Sequence, residues 1–197
     1  MLKFFVDTSS DYLSLVLTSN KEVLSSIRIL AGRKMSEEIL GQINNIISVS
    51  QISISDIDEF YVVTGPGSFT GVRIGVAMVM GIAEGLSKKC YGITSLDCGA
   101  ITSGLDVCSV AVRLKGDLFA IRKYNFKENI FSDYFCDTIS NDEMNKYIII
   151  NSDKQSNIAL EKVAIDDRHI MFKDKCEPLY LRKSEAELNI DKKRINR

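Results

Sequence analysis

The chain runs twice through one order of elements: strand, strand, strand, helix, strand, helix. In the first pass, Leu2 to Val6 is a short apolar run closed by the polar turn Asp7-Thr8-Ser9-Ser10. Leu13, Leu15 and Leu17 alternate with smaller or polar residues, the period of a half-buried strand, and Val23 to Leu30 supplies a third strand. A helix over 36–48 comes next, with Ser36 at its cap and Glu37 and Glu38 where the dipole favours acid. Its apolar residues Ile39, Leu40, Ile43, Ile46 and Ile47 fit a 3.6-residue period. Phe60 to Thr64 reads as a buried strand, Thr70 to Leu86 as a second helix, and Cys90 to Thr94 as a further strand with Ser95 as a helix cap after it.

The second pass begins at Val107. Strands are predicted over Val107 to Arg113, Leu118 to Phe126 and Ile130 to Cys136, the first two joined by a hairpin turn at Lys115-Gly116-Asp117. Ser140-x-x-Glu143 is a capping box for a short helix, Tyr147 to Ile150 a buried strand, and Asn157 to Ile165 a helix. The two passes share element order and no sequence identity. Three meandering strands followed by crossover helices build a mixed sheet. Two such units predict an α/β, two-lobed actin-like fold (ribonuclease-H-like, ASKHA). The expected division is a first lobe over 1–100, a second, reduced lobe over 101–182 and a charged, frayed tail over 183–197.

Bulk properties exclude several function classes. A formal net charge of −1 does not mark a nucleic-acid binder, so any RNA contact is expected to be local or supplied by a partner. Asp7 interrupts the first apolar run well short of a signal-peptide core, and Ile74 to Met80 is too short to span a bilayer. The five cysteines, Cys90, Cys98, Cys108, Cys136 and Cys176, are never spaced Cys-x-x-Cys. They read as small buried hydrophobes in a reducing compartment, which places the chain in the cytoplasm.

The densest segment is Phe60-Tyr61-Val62-Val63-Thr64-Gly65-Pro66-Gly67-Ser68-Phe69-Thr70-Gly71-Val72-Arg73-Ile74-Gly75, a strand, a glycine turn and a helix start. Backbone amides at a helix amino terminus attract anions, which makes a phosphate cradle one reading. It fails both common templates: a P-loop needs Lys where Val72 stands, and the dinucleotide fingerprint needs Gly where Thr70 stands. A tight strand-to-helix connection is the plainer reading.

Within the helix, Gly71, Gly75, Gly81 and Gly85 each cost about 1 kcal/mol relative to Ala. Gly71, Gly75, Met78, Ile82 and Gly85 advance by four, three, four and three, a single stripe on which another backbone could approach closely. Between Thr70 and Leu86 only Arg73 and Glu84 are charged. A helix apolar all round needs cover on more than one side. The helix over 36–48 can supply it within the chain; an intermolecular contact is the favoured alternative. The expected partner interface is Ile39, Ile43, Ile46, Gly71, Gly75, Met78, Ile82 and Gly85. On that reading Gly75→Leu leaves the fold intact and abolishes pairing.

Chemistry is sparse. His169 is the single histidine, which rules out a two-His metal site and removes the usual general base from all but one place. Beside Asp166, Asp167 and Arg168 it is expected to be exposed and idle. All twelve glycines fall at or before Gly116, so the second lobe lacks the glycine loops of an orthodox ATP site. Asp7 is the one weak candidate for holding a cofactor, and a turn-forming, N–H-accepting role for Asp7 and Thr8 is preferred. No catalytic residue, cofactor or metal is assigned.

Several of these residues resemble one family. Val6-Asp7-Thr8-Ser9, Ser36-Glu37, the run Gly65 to Gly75, Tyr91-Gly92-Ile93-Thr94-Ser95-Leu96 and Pro178-Leu179-Tyr180-Leu181-Arg182 strongly resemble the TsaB (YeaZ) family. The resemblance implies an actin-like fold and a place in the bacterial complex that adds threonylcarbamoyl to the adenosine beside the tRNA anticodon. It implies a non-catalytic subunit that forms a heterodimer with the related catalytic subunit TsaD and a homodimer when alone. TsaC supplies threonylcarbamoyl-adenylate, TsaE is the ATPase partner in a larger complex, and tRNA is met only indirectly. The catalytic relative's His-x-x-x-His metal pair aligns with Ser95 and Gly99 here, in keeping with the single histidine. Met35 stands where the family usually has His, and Val112-Arg113-Leu114 where it often has Asp-Ala-Arg. The second lobe is also short. Two further readings stay open: an actin-like ATP-dependent phosphotransferase or glycoprotease-type peptidase, and a purely homodimeric binding module.

Overall fold

The computed structural model describes residues 1–150 and 157–181. The expected charged tail over 183–197 lies outside the described residues. Strands β1 (Leu2–Asp7), β2 (Tyr12–Ser19) and β3 (Glu22–Leu30) form a meander and lead to helix α1 (Met35–Val49). Then come β4 (Glu59–Val63), α2 (Phe69–Gly85), β5 (Lys89–Ile93) and α3 (Ser95–Ser103). The second half contains β6 (Val107–Lys115), β7 (Leu118–Asn125), β8 (Ile130–Phe131), β9 (Phe135–Thr138), β10 (Ile148–Ile150) and α4 (Leu160–Ile165).

The first sheet has the order β3-β2-β1-β4-β5, antiparallel across β3-β2-β1 and parallel across β1-β4-β5. The second has the order β10-β6-β7-β8, with β9 also on β7, and β10 runs parallel to β6. Each sheet thus centres on the first strand of its half, with the hairpin on one side and the crossover strand on the other. Among the described residues the second sheet has one crossover strand fewer than the first. Gly116 closes the β6–β7 hairpin at φ +55°, a left-handed conformation that side chains resist.

Strand alternation decides what packs where. Phe4 and Val6, Leu13, Leu15 and Leu17, and Phe60 and Val62 face α1 and α2 in one core. Their neighbours Phe5, Val16, Tyr61 and Val63 point the other way. There they join Leu96 and Ile101 of α3, Leu160 and Val163 of α4, and Val110, Val112 and Ala120 of the second sheet. One continuous core therefore ties the two halves together.

Local details depart from the sequence expectation for identifiable reasons. Ser36 does not cap α1: a 3-10 turn over Gly32–Lys34 carries the chain in, and the helix starts one residue earlier, at buried Met35. The predicted strand over 130–136 is broken at Ser132, whose amide bonds the Lys123 carbonyl and whose carbonyl accepts from Arg122 Nε. The capping box at Ser140 is not made, because the Ser140 hydroxyl bonds the Glu143 carboxylate, and only a 3-10 helix (Asn141–Lys146) forms.

Candidate partner-binding helix

The glycine run is shaped by the turn that ends β1. Asp7 Oδ1 accepts the Ser9 amide at 2.8 Å, and the Ser9 carbonyl accepts the Ser68 amide at 2.7 Å. This folds the Asp7–Ser10 turn directly onto the start of α2. A Cβ on Gly67 would lie 2.2 Å from the Ser9 carbonyl oxygen, one on Gly71 2.2 Å from the Thr8 carbonyl oxygen, and one on Gly75 2.2 Å from Thr8 Oγ1. Three glycines spaced by four therefore let the Asp7–Ser10 turn lie against the entry and first two turns of the helix. The phosphate reading has no room here. The Ser68 amide is taken by Ser9, and the Gly71 amide is capped by Ser68 Oγ at 3.2 Å.

This corrects the expected interface at five of its eight positions. Gly71 and Gly75 face Thr8 within the chain. Ile39, Ile43 and Ile46 are fully buried against the first sheet, so they too are core. Met78 and Ile82 are half-buried and Gly85 is exposed. The expected stripe thus starts on the inward meridian of the helix and only its far end reaches the surface.

The outward face of α2 has its own small-residue spacing. Ala77, Gly81 and Gly85 are exposed and again four apart, and a Cβ on Gly81 or Gly85 would meet nothing within 4 Å. Half-buried Ile74, Met78 and Ile82 flank them, Met80 is 40% exposed, and Leu40 of neighbouring α1 is 50% exposed. The carboxy-terminal signature reaches the same helix. Leu179 donates its amide to the Thr64 carbonyl at 2.9 Å, and Tyr180 accepts from Arg73 Nε at 2.7 Å. The Arg73 guanidinium lies 3.8 Å over the Phe69 ring, so the first turn of α2 ends in an aromatic–cation stack.

His169 is also corrected: it is 1% exposed, not on the surface. It sits edge-on to Phe5 and Tyr61. Nδ1 meets the Asp166 carbonyl at 2.6 Å and Nε2 meets Lys3 Nζ at 3.3 Å. A carbonyl can only accept and an ammonium only donate, so the ring is neutral with its proton on Nδ1. Burial holds both the imidazole and the Lys3 ammonium below their usual pKa ranges.

Sequence reasoning missed Asp97, which is 1% exposed. It accepts from Arg122 Nη1 and Tyr124 OH at 2.7 Å each, from Tyr134 OH at 3.2 Å and from the Thr94 hydroxyl. These four donors fill a carboxylate and weld α3 to the second sheet. The local signal was Thr94-x-x-Asp97 at a helix start. The rest depended on strands more than twenty residues away.

Asp7 shows the opposite balance. Burial pushes its carboxyl above the usual range, against the Ser9 hydrogen bonds that favour the charged form. A folded pKa above the unfolded one means the fold gains from the protonated form. That gain is complete below the unfolded pKa, about 3.9, and is lost as pH rises through the folded value. Asp7→Asn keeps an acceptor for the Ser9 amide and removes the buried charge. The variant is expected to have a higher urea midpoint near neutral pH, with the difference closing under acid conditions. A lower midpoint at neutral pH would assign the carboxylate a stabilising partner instead.

Among the described residues no three His, Cys, Asp or Glu side chains gather as a metal-holding group, and no helix is long and apolar enough to cross a membrane. Residues 27–113 match the family described as TsaD, tRNA N6-adenosine threonylcarbamoyltransferase. Over 91 residues the chain is 33% identical to the tRNA threonylcarbamoyladenosine biosynthesis protein TsaB of Escherichia coli (strain K12), covering 46% of this chain and 39% of that protein. The corresponding TsaB of Haemophilus influenzae is 34% identical over 91 residues, 46% of this chain and 38% of its own length. The matched stretch thus spans about two fifths of these curated relatives. Among solved structures, an uncharacterized protein from Pseudomonas aeruginosa with similarity to peptidase YEAZ superposes with a TM-score of 0.74 at 16% identity, covering 92% of this chain and 99% of that one. YeaZ from the same organism superposes with a TM-score of 0.72 at 15% identity, covering 91% and 99%. Those two superpositions carry the two-lobed actin-like fold over nearly the whole described chain. With the glycine run packed as described, the matched stretch of this chain is similar to TsaB proteins at a third identity, and its fold is similar to that of YeaZ.

Proposed function

We propose that this chain is a non-catalytic subunit supporting transfer of threonylcarbamoyl to adenosine in tRNA, and that it pairs with the catalytic subunit TsaD through the outward face of α2. The observation that carries the reading is the Ala77-Gly81-Gly85 face, exposed, small and flanked by apolar side chains. A face of this kind allows close helix approach and is unsuited to lasting contact with water. The match of residues 27–113 to the transferase family supports the choice of partner. A chain built like its partner can present the same surface to it as to a second copy of itself, so heterodimer and homodimer draw on one interface. TsaE would join the larger assembly, and tRNA would be held by the partner.

The non-catalytic assignment rests on the donor set. Both ring nitrogens of the single histidine are engaged in a buried contact with Lys3 and a backbone carbonyl. A peptidase would need a base beside a nucleophile, and Asp97, fully occupied by four donors, has no lone pair to lend. The test is reconstitution. Chain and TsaD are expected to co-elute, and threonylcarbamoyl-adenosine formation on tRNA is expected to need both, with no turnover from this chain alone. Independent elution, or transfer by this chain without TsaD, overturns the proposal.

A further inference from the structure

Cys90 in β5 and Cys176, near the end of the described chain, are brought together by the fold with their sulfurs 2.9 Å apart. β5 is an edge strand, and the carboxy-terminal segment runs along it as a strap. Gly92 and Asp174 exchange both backbone hydrogen bonds, at 2.9 and 3.0 Å, and Leu179 bonds the Thr64 carbonyl. Gly92 admits this approach because a Cβ there would lie 2.4 Å from the Lys175 carbonyl oxygen. The thiols thus face each other at the middle of a strap whose two ends are already fixed. A disulfide needs a sulfur separation of about 2.05 Å, roughly 0.9 Å shorter than the gap between these thiols.

We propose that Cys90 and Cys176 are a modification site, a reversible intramolecular disulfide made by a peroxide oxidant that locks the strap onto the edge of β5. Cys90 is half-buried and Cys176 buried, so the oxidant meets Cys90 first. The hydrogen bond between the thiols holds Cys90 below the usual thiol range and, with burial, Cys176 above it, so Cys90 is the thiol that ionises more readily. The Cys90 thiolate attacks one peroxide oxygen, the O–O bond breaks, and hydroxide leaves to give a sulfenic acid. Cys176 then attacks the Cys90 sulfur, the S–S bond forms as the S–O bond breaks, and water leaves with the Cys176 proton. Two thiols lose two electrons in all, and one peroxide becomes two waters.

The strap carries Tyr180 onto Arg73 and Phe69 at the first turn of α2. Resting on the pairing proposed above, the disulfide would tune that end of the partner face. The test uses the full chain with Cys136→Ser, because exposed Cys136 would otherwise form crosslinks between molecules. After hydrogen peroxide and alkylation, trypsin without reductant is expected to release residues 90–113 joined to residues 176–182. The species is expected to vanish with dithiothreitol and to be missing from Cys90→Ser and Cys176→Ser. Oxidation is also expected to raise Tm by several degrees, an effect lost in Cys176→Ser. Separate alkylated peptides after oxidation, or Cys90 advancing to sulfinic acid in the presence of Cys176, would overturn the proposal. The crosslink is read without any partner, so its failure and a failure of pairing are distinguishable.

Discussion

Gly75→Leu is expected to damage the fold, with a loss of stability on the order of 3 kcal/mol and a fall in Tm of about 6–12 °C for a chain of this size. The Cβ alone would stand 2.2 Å from Thr8 Oγ1 and 3.3 Å from the Thr8 Cβ and Cγ2. Leu adds three more carbons to a place already filled. Its better helix propensity returns only about 0.8 kcal/mol, which does not offset the clash. A double-mutant cycle localises the cause. Thr8 Oγ1 is buried without a hydrogen-bond partner, so Thr8→Ala removes no native bond. Thr8→Ala is therefore expected to be close to neutral alone and to recover much of the stability lost in Gly75→Ala, whose added methyl is the atom that meets Oγ1. The measurement is thermal or urea unfolding of the four proteins. Gly75→Leu with an unchanged Tm would show that the first turns of α2 do not press on the Asp7–Ser10 turn.

The sequence exposed the fold well and the interface poorly, and the reason lies in periodicity. Leu13, Leu15 and Leu17, or Phe4 and Val6, announce a strand and its buried face because one period of two covers the whole element. The double pass of strands and helices then leaves few topologies, and the sheet order β3-β2-β1-β4-β5 is the one that meander and crossovers require. Helix α2 is different. It carries glycines on two faces, and spacing by three and four connects Gly75 to Met78 as readily as spacing by four connects Gly67, Gly71 and Gly75. Only the carbonyl and hydroxyl of Thr8, sixty residues earlier, distinguish the inner row from the outer one. The same holds for His169, which has charged sequence neighbours and is buried because the 3-10 helix over Asp167–Phe172 sets it edge-on against Phe5 and Tyr61. Asp97 and Cys90 are likewise unremarkable until the chain brings Arg122 and Cys176 to them. Local pattern determines elements; contacts between distant segments determine what each face is for.

The outer row carries the counterpart prediction. Gly81→Arg is expected to leave the chain folded and to abolish its pairing. A Cβ at Gly81 has nothing packed within 4 Å of it, so the new side chain starts in open space. Replacing a mid-helix glycine by arginine should raise stability by roughly 0.8 kcal/mol, through propensity alone. Tm should therefore hold or rise by about 2–4 °C. At a close helix–helix contact the same side chain inserts bulk and an unpaired charge between two backbones. A central interface position of this kind is worth on the order of 2 kcal/mol or more, which is a loss of roughly 30-fold in affinity. Glu128→Arg in the turn before β8 places the same group at an exposed second-lobe site and shifts the net charge by two rather than one, so it controls for charge with a margin. Affinity for TsaD, measured by titration calorimetry, and self-association, measured by sedimentation, should both fall for Gly81→Arg and be unchanged for Glu128→Arg. If Gly81→Arg pairs as tightly as the parent chain, the exposed face of α2 is not the interface. If it loses the homodimer and keeps TsaD, the two assemblies use different surfaces, and one face does not serve both.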